Sequence, residues 1–260
     1  MIGASPEARE RMQRPTAAPT RPGDPQATQM CGRYTLSTPG AAVAELLELG
    51  QAPQLAPRYN IAPTQESAVV RLAGGHRSLD HLRWGLVPYW ASEPGIGNRM
   101  INARSETVTD KPAFRDSFRR RRCLVPADGF FEWRRTPAGK QPYLFRLTDG
   151  GPFAFAGLWD RWVPHDGPPI ESFTVLTTRA NALVEAIHDR MPVILPPQHH
   201  HLWLDPRKSE RTRLSALLQP LPADAMTVFP VSTAVNRSAH DEPECVAPLA
   251  DWQNDPAHDI

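Results

Sequence analysis

Between residues 67 and 178 the chain breaks into short runs rich in aromatic and β-branched residues, each bounded by glycine, proline or aspartate. SAVVRL (67–72), LRWGLVP (82–88), CLVPA (123–127), GFFEWRR (129–135), PYLFRL (142–147), FAFAGLWDRW (153–162) and SFTVLTT (172–178) read as strands. Helical spacing is confined to AAVAELLEL (41–49), which stops at Gly50, and to stretches near 112–121, 181–187, 197–204 and 209–218. Most of the 29 prolines punctuate the intervening loops, and neither an internal repeat nor a linker divides the structured part. Such spacing predicts one α+β domain, built on a curved, mainly antiparallel sheet or open barrel with a few peripheral helices.

The two ends differ from this body. Residues 1–29 are rich in Pro, Arg, Thr and Ala, with almost no large apolar side chain. They cannot bury enough surface to offset their ordering entropy and read as a disordered leader. From 31 to 238 there are 25 Lys/Arg against 19 Asp/Glu, a net charge of about +6, whereas 239–260 holds six acidic residues and no Lys or Arg. A basic body with a short, flexible acidic tail suits a polyanionic partner, and equally a well-solvated surface. No apolar run approaches the roughly 18 residues of a spanning helix. Three cysteines, Cys31, Cys123 and Cys245, are too few and scattered for a disulfide framework. With no apolar signal segment at the start, a cytoplasmic protein is expected, without a membrane partner.

Four stretches set a reactive group beside apolar residues: MCGRYTL (30–36), INARSET (101–107), LVPADGFFEW (124–133) and IHDRMPVIL (187–195). Cys31 brings a thiol, Asn102 an amide, Glu132 a carboxylate between Phe131 and Trp133, and His188 an imidazole. Singly, each has an ordinary structural reading: a small buried hydrophobe, a strand's solvated face, a helix end. Together they make a nucleophile, a proton shuttle, a second acid/base and an orienting amide.

These stretches, with RYNIAPTQ (58–65), WGLVPYWA (84–91), RRCLVPADGFFEW (121–133), FAGLWDRW (155–162) and LTTRANALVEAIHDRMPVIL (176–195), resemble the SRAP-domain family of SOS-response-associated peptidases and abasic-site-processing proteins. The likeness runs in order from Met30 to about Val235. It implies that Cys31, Asn102, Glu132 and His188 are the active residues, that Arg104 contacts phosphate, and that the domain covalently traps abasic sites in single-stranded DNA, including single-strand/double-strand junctions. Arg33, Arg58, Trp84, Trp90 and the Arg119–Arg122 run are the further candidates for DNA contact, through charge and stacking. A monomer is expected, nucleoid-associated in a bacterium.

The chemistry explains why a cysteine would come first. A ring-opened abasic site presents an aldehyde. An amine and a thiol on adjacent carbons condense with it to an imine and then close a five-membered thiazolidine. Only an N-terminal cysteine carries that pair, since an internal nitrogen is a delocalised amide. An α-amine titrates near 7.7–8.0, so a useful fraction is neutral at pH 7. The expectation is a chain begun at Met30, or a leader removed, including by self-cleavage, to leave Cys31 first; an imine also opens a route to weak β-elimination. Alternatives are an N-terminal-nucleophile amidohydrolase, which shares the MCG start, a thiol peptidase built on Cys31, and a non-covalent reader of single-stranded DNA. PPQHHHLW (196–203) reads as surface, because three consecutive histidines on a helix cannot face one ion; no metal or cofactor is expected. Cys123 reads as buried and Cys245 as part of the tail.

Overall fold

The computed structural model describes residues 32–137, 139–250 and 252; the leader, Cys31 and most of 251–260 lie outside them. In chain order the strands are β1 (Tyr34–Leu36), β2 (Arg58–Ile61), β3 (Glu66–Ala73), β4 (His76–Trp84), β5 (Asn102–Arg104), β6 (Arg122–Ala127), β7 (Gly129–Thr136), β8 (Gly139–Leu147), β9 (Phe153–Trp162), β10 (Ile170–Arg179), β11 (Arg190–Pro192), β12 (Ile194–Leu195) and β13 (Met226–Pro230). The helices are short: α1 (Gly40–Leu47), α2 (Arg115–Arg120), α3 (Ala182–Glu185), α4 (His200–Leu204) and α5 (Arg211–Ser215).

One sheet runs β13-β8-β7-β1-β2, antiparallel throughout. The other closes on itself: β4, β3, β6 and β9 pair in turn, β9 pairs β10, and β10 returns to β4 in parallel. The expected curved, mainly antiparallel sheet is present, and the short β4–β10 pairing closes it into a barrel. Where β4 ends, β5 continues along the same edge of β10. The strands absent from the sequence reading are β1, β2, β5 and β11 to β13; they are two to five residues long, too short for period-two alternation to stand out.

The run 82–88 is also cut short by geometry. β4 starts earlier, at His76, and stops at Trp84 because Gly85 takes φ +126°. A Cβ there would sit 2.7 Å from the Gly97 carbonyl oxygen, and one on Gly97 would sit 2.5 Å from that of Gly85. Two glycines thus let the post-β4 loop and the 94–99 turn pack backbone on backbone.

The main core fills the barrel and reaches the face of the five-stranded sheet that carries Phe130, Phe145, Tyr34 and Ile61. That sheet's other face holds a second cluster of Phe131, Leu144, Val231, Val235 and Cys245. The expectation of a flexible tail from 239 is corrected here: the chain packs back through Ala247–Leu249, with a bridge from Pro248 to Val231 and Cys245 fully buried. The Arg119–Arg122 run is split. Arg122 is buried and donates to the carbonyls of Phe118, Arg119, Trp203, Asp205 and Lys208, bolting α2 to the α4 region, and burial lowers its pKa to about 10. Arg121 is partly buried and ion-paired with Asp160 at 3.2 Å, which leaves Arg119 and Arg120 facing solvent.

The surface reading of the histidine triplet fails at its centre. His201 is exposed, but His200 is fully buried with Nε2 2.9 Å from the Leu195 oxygen. Burial, the largest cause, holds its pKa below the ordinary value. The unfolded chain then binds a proton near pH 6.5 that the folded protein resists, so His200 makes stability fall as pH drops below about 6.5. Denaturant midpoints of the parent and of His200→Gln, measured from pH 5 to 8, should diverge in slope in that window. Parallel curves would mean that His200 takes up its proton in place.

Candidate functional site

Arg33, just before β1, and Glu132, on β7, lie at the join between these two strands. The strands pair with Tyr34 opposite Phe130 and Thr35 opposite Gly129, and the Phe131 N–H donates to the Arg33 carbonyl at 3.0 Å. The same register sets Gly32 level with Glu132. Strand alternation puts Glu132 on the face of Phe130, toward the barrel, and Phe131 and Trp133 on the other. Glu132 is 2% exposed, opposite the core residue Tyr143 on β8. Its reading as a residue on a solvated face is excluded. Cys31, one peptide bond before Gly32, lies outside the described residues.

Asp128 makes this corner rigid, and the sequence reading missed it. Its buried carboxylate accepts from the Thr35 hydroxyl, from Ser37 N–H (2.6 Å) and Oγ (2.9 Å), and from Thr38 N–H (2.8 Å) and Oγ1 (2.9 Å). Hydrogen bonds to a charged acceptor are the strong kind. The signal was present as an aspartate between two apolar strands, but its partners are some ninety positions earlier.

Asn102 opens β5, which lies parallel to β10 with Asn102 opposite Val175 and Arg104 opposite Thr177. Ala103 is in the core, so Asn102 and Arg104 share the opposite face, the first half-buried and the second exposed. The residue before Asn102 is held from beneath: Trp84 Nε1 donates to the Ile101 carbonyl at 2.9 Å, and Val175 N–H to the same oxygen at 3.1 Å. Trp84 itself is 0% exposed, edge-on to Tyr34 at 5.1 Å and stacked on Phe173 at 6.2 Å. Its expected role as a DNA stacking surface is therefore corrected to a core prop for Asn102. The exposed rings of that loop are Tyr89 (53%) and Trp90 (48%).

His188 follows α3, its N–H bonded to the Val184 carbonyl at 2.8 Å. Nδ1 accepts from the Arg190 N–H at 3.0 Å and lies 3.1 Å from Asp189 Oδ1. The two contacts belong to different states. A neutral ring accepts at Nδ1 and carries its hydrogen on Nε2, while a protonated ring donates from Nδ1 to Asp189. Each proton state therefore has a partner in place. Arg190 extends the same turn toward β5: it holds both oxygens of Glu106, one at 2.9 Å, and the Thr177 carbonyl at 2.7 Å. The hydrogen bond from Arg190 holds the Glu106 carboxyl below its ordinary pKa. This pair, which the sequence reading also missed, ties the start of β11 on one edge of β10 to the end of β5 on the other.

The arginine candidates divide. Arg104 is exposed and makes no ion pair among the described residues. Arg58 is ion-paired with Asp241 and donates to Gln65 Oε1 at 2.7 Å, so its charge is cancelled within the protein and its expected DNA contact is corrected to a structural tie. Arg33 donates to Asn60 Oδ1 (2.8 Å) and to the carbonyls of Val235 (2.7 Å) and Asn236 (3.4 Å), with no carboxylate at ion-pair distance among the described residues. Burial pushes its pKa below the ordinary value. Among the described residues no group of three His, Cys, Asp or Glu side chains could hold a metal ion. Cys123, on β6 opposite Gly157 of β9, is buried, and burial raises its thiol pKa far above the ordinary value.

Replacing Trp84 by Phe removes the indole donor and part of a packed ring, at a cost of about 1–3 kcal/mol. The denaturant midpoint should fall accordingly, while affinity for an undamaged single-stranded oligonucleotide stays unchanged. Lost affinity at full stability would restore Trp84 as a contact.

A family model described as SOS response associated peptidase (SRAP) matches residues 30–238. The chain is 41% identical over 221 residues to the abasic site processing protein YoqW of Bacillus subtilis, covering 84% of this chain and 99% of that protein. It is 31% identical over 229 residues to the abasic site processing protein YedK of Escherichia coli, covering 85% and 100%. With the abasic site processing protein HMCES of Xenopus tropicalis it shares 33% over 231 residues, 77% of this chain and 68% of that one. A crystal structure of a Bacteroides thetaiotaomicron protein superposes with a TM-score of 0.76 at 28% identity, covering 84% of this chain and all of that one. On sequence and fold alike, this chain belongs to the SRAP family.

Proposed function

We propose that this protein processes abasic sites in single-stranded DNA by trapping the ring-opened aldehyde on Cys31, once Cys31 is the first residue of the mature chain. The observation that carries the reading is the buried carboxylate of Glu132, on the barrel-facing side of β7 and level with Gly32, the neighbour of Cys31. Burying a carboxylate is costly, and buried ionisable groups cluster at functional sites, which supports a chemical role. The names of the relatives, abasic site processing proteins, point to the same substrate.

The steps balance without a cofactor. The neutral Cys31 amine adds to the C1′ aldehyde to give a carbinolamine. Loss of water forms the imine, and the Cys31 thiol then adds to the imine carbon while its proton passes to nitrogen, closing the thiazolidine. One water leaves in all. His188, with partners for both of its proton states, protonates the departing oxygen. Glu132 relays protons at the amine, and Asn102, propped by Trp84 through Ile101, orients the amine or the aldehyde oxygen. Arg104 and the uncancelled charge of Arg33 attract backbone phosphate, and Trp90 offers a face on which a base can stack. Ring closure competes with β-elimination, which leaves strand cleavage a minor outcome. The chain acts as a monomer, on single strands and at their junctions with duplex, in the cytoplasm at the nucleoid. Any peptidase activity is confined to its own leader.

A protein starting at Cys31 should form a heat-stable adduct with an abasic single-stranded oligonucleotide. One retaining residues 1–30 should not, and Cys31→Ala should lose the adduct but keep affinity for undamaged strand. Denaturing gels with intact-mass measurement decide this; equal trapping by a chain whose leader is still attached would refute the aminothiol mechanism.

The proton transfers are testable separately. Glu132→Gln and His188→Ala should each slow single-turnover trapping by about 10²–10⁴-fold, and each should remove a different limb of the pH–rate profile between pH 5 and 9. Profiles that match the parent would mean that the aminothiol works unaided.

A further inference from the structure

The segment after β13 is bonded to β2 and to Arg33 by a network that the trapping chemistry leaves unexplained. Asn60 on β2 is fully buried. Its amide nitrogen lies 3.1 Å from the Val235 carbonyl, 3.0 Å from that of Arg237 and 2.7 Å from that of His240. Its oxygen accepts from Arg33 Nη1 at 2.8 Å, and the same nitrogen donates to the Val235 carbonyl at 2.7 Å. From the other end, Asp241 accepts the N–H groups of Tyr59 and of Asn60 (2.8 Å) and pairs with Arg58. Behind this loop Cys245 is sunk in the outer apolar cluster with Val235 and Phe131. The family match ends at residue 238, before Asp241.

We propose that Asn60 and Asp241 are positioning residues for Cys31: they hold residues 235–241 as a latch that clamps Arg33 and so sets the direction in which the chain leaves β1 toward Cys31. The inference rests on Cys31 being the trapping residue. β1 is only three residues long, and Gly32 gives no direction of its own, since a Cβ there would have nothing within 4 Å. Among the described residues Arg33 is then the one nearest Cys31 in sequence whose side chain is held in place. An amide suits position 60 because it donates to the loop carbonyls and accepts from Arg33 at once; a carboxylate could only accept. Misplacing reacting groups by about 1 Å costs on the order of 10²-fold in rate.

The test compares Asp241→Ala, Asp241→Asn and Asn60→Asp with the parent, all beginning at Cys31. Single-turnover trapping is followed on a single-stranded oligonucleotide carrying one abasic site. The latch lowers the maximum rate about tenfold to hundredfold in Asp241→Ala and Asn60→Asp. Rates are compared at saturating DNA, because Asn60→Asp sets a carboxylate against Arg33 and Asp241→Ala frees the charge of Arg58. Affinity for the undamaged strand does not fall in Asp241→Ala. Reaction of Cys31 with free formaldehyde, which needs no aim, also stays parental. Asp241→Asn, which keeps an acceptor for the two backbone N–H groups, recovers part of the rate. If Asn60→Asp does not fold, the two variants at the partly exposed Asp241 carry the comparison. Parental maximum rates in folded Asp241→Ala overturn the latch and leave the Cys31 chemistry standing. Loss of the formaldehyde reaction along with trapping also overturns it, because the defect is then not one of aim. A parent that fails to trap abasic DNA overturns both readings.

Discussion

The placement of Tyr34 governs the rest of the molecule. Its backbone belongs to the five-stranded sheet, but its ring lies in the barrel core, 5.1 Å from Trp84 and 5.7 Å from Phe155, with its hydroxyl 2.6 Å from Ser67 Oγ. A fully buried aromatic with its polar end satisfied is hard to displace, because leaving would strand a hydroxyl and open a cavity together. Three residues of β1 thus join the two sheets. The same contact anchors the start of β1, just after Arg33, and, through Trp84 and Ile101, the strand that starts at Asn102.

Rigidity around this join comes from buried or half-buried polar groups with many partners. Asp128 gathers the turn after β1, Asn60 and Asp241 gather the loop after β13, and Arg122 gathers α2 and the α4 region. Each occupies a place where an apolar residue would leave backbone groups unsatisfied, so each specifies one arrangement of loops that have little regular structure of their own. The charge pattern follows. Much of the positive charge that suggests a polyanion partner is engaged inside the protein, at Arg58, Arg122 and Arg190. What remains for phosphate is a smaller set that includes Arg104.

Read alone, the sequence determined the class of fold and the chemical inventory. Six strand runs fell close to β3, β6, β7, β8, β9 and β10, because each carries its own run of aromatic and β-branched residues between breakers, while the run at 82–88 caught only the last three residues of β4. Asn102, Glu132 and His188 stood out as candidates because reactive groups stand beside core residues, and the argument for a first cysteine rests on bond chemistry with no coordinates at all. What only the tertiary structure decided was the environment of each side chain. One tryptophan of WGLVPYW is core and the other surface; Glu132 faces the barrel; His200 is buried between two more accessible histidines; the acidic stretch after Ser238 packs back as far as Leu249. The physical reason is one of range. Strand propensity is read over a few neighbouring residues, whereas the partners of Asp128, Asn60 and Arg33 lie between 27 and 203 positions away, where only the folded chain can bring them.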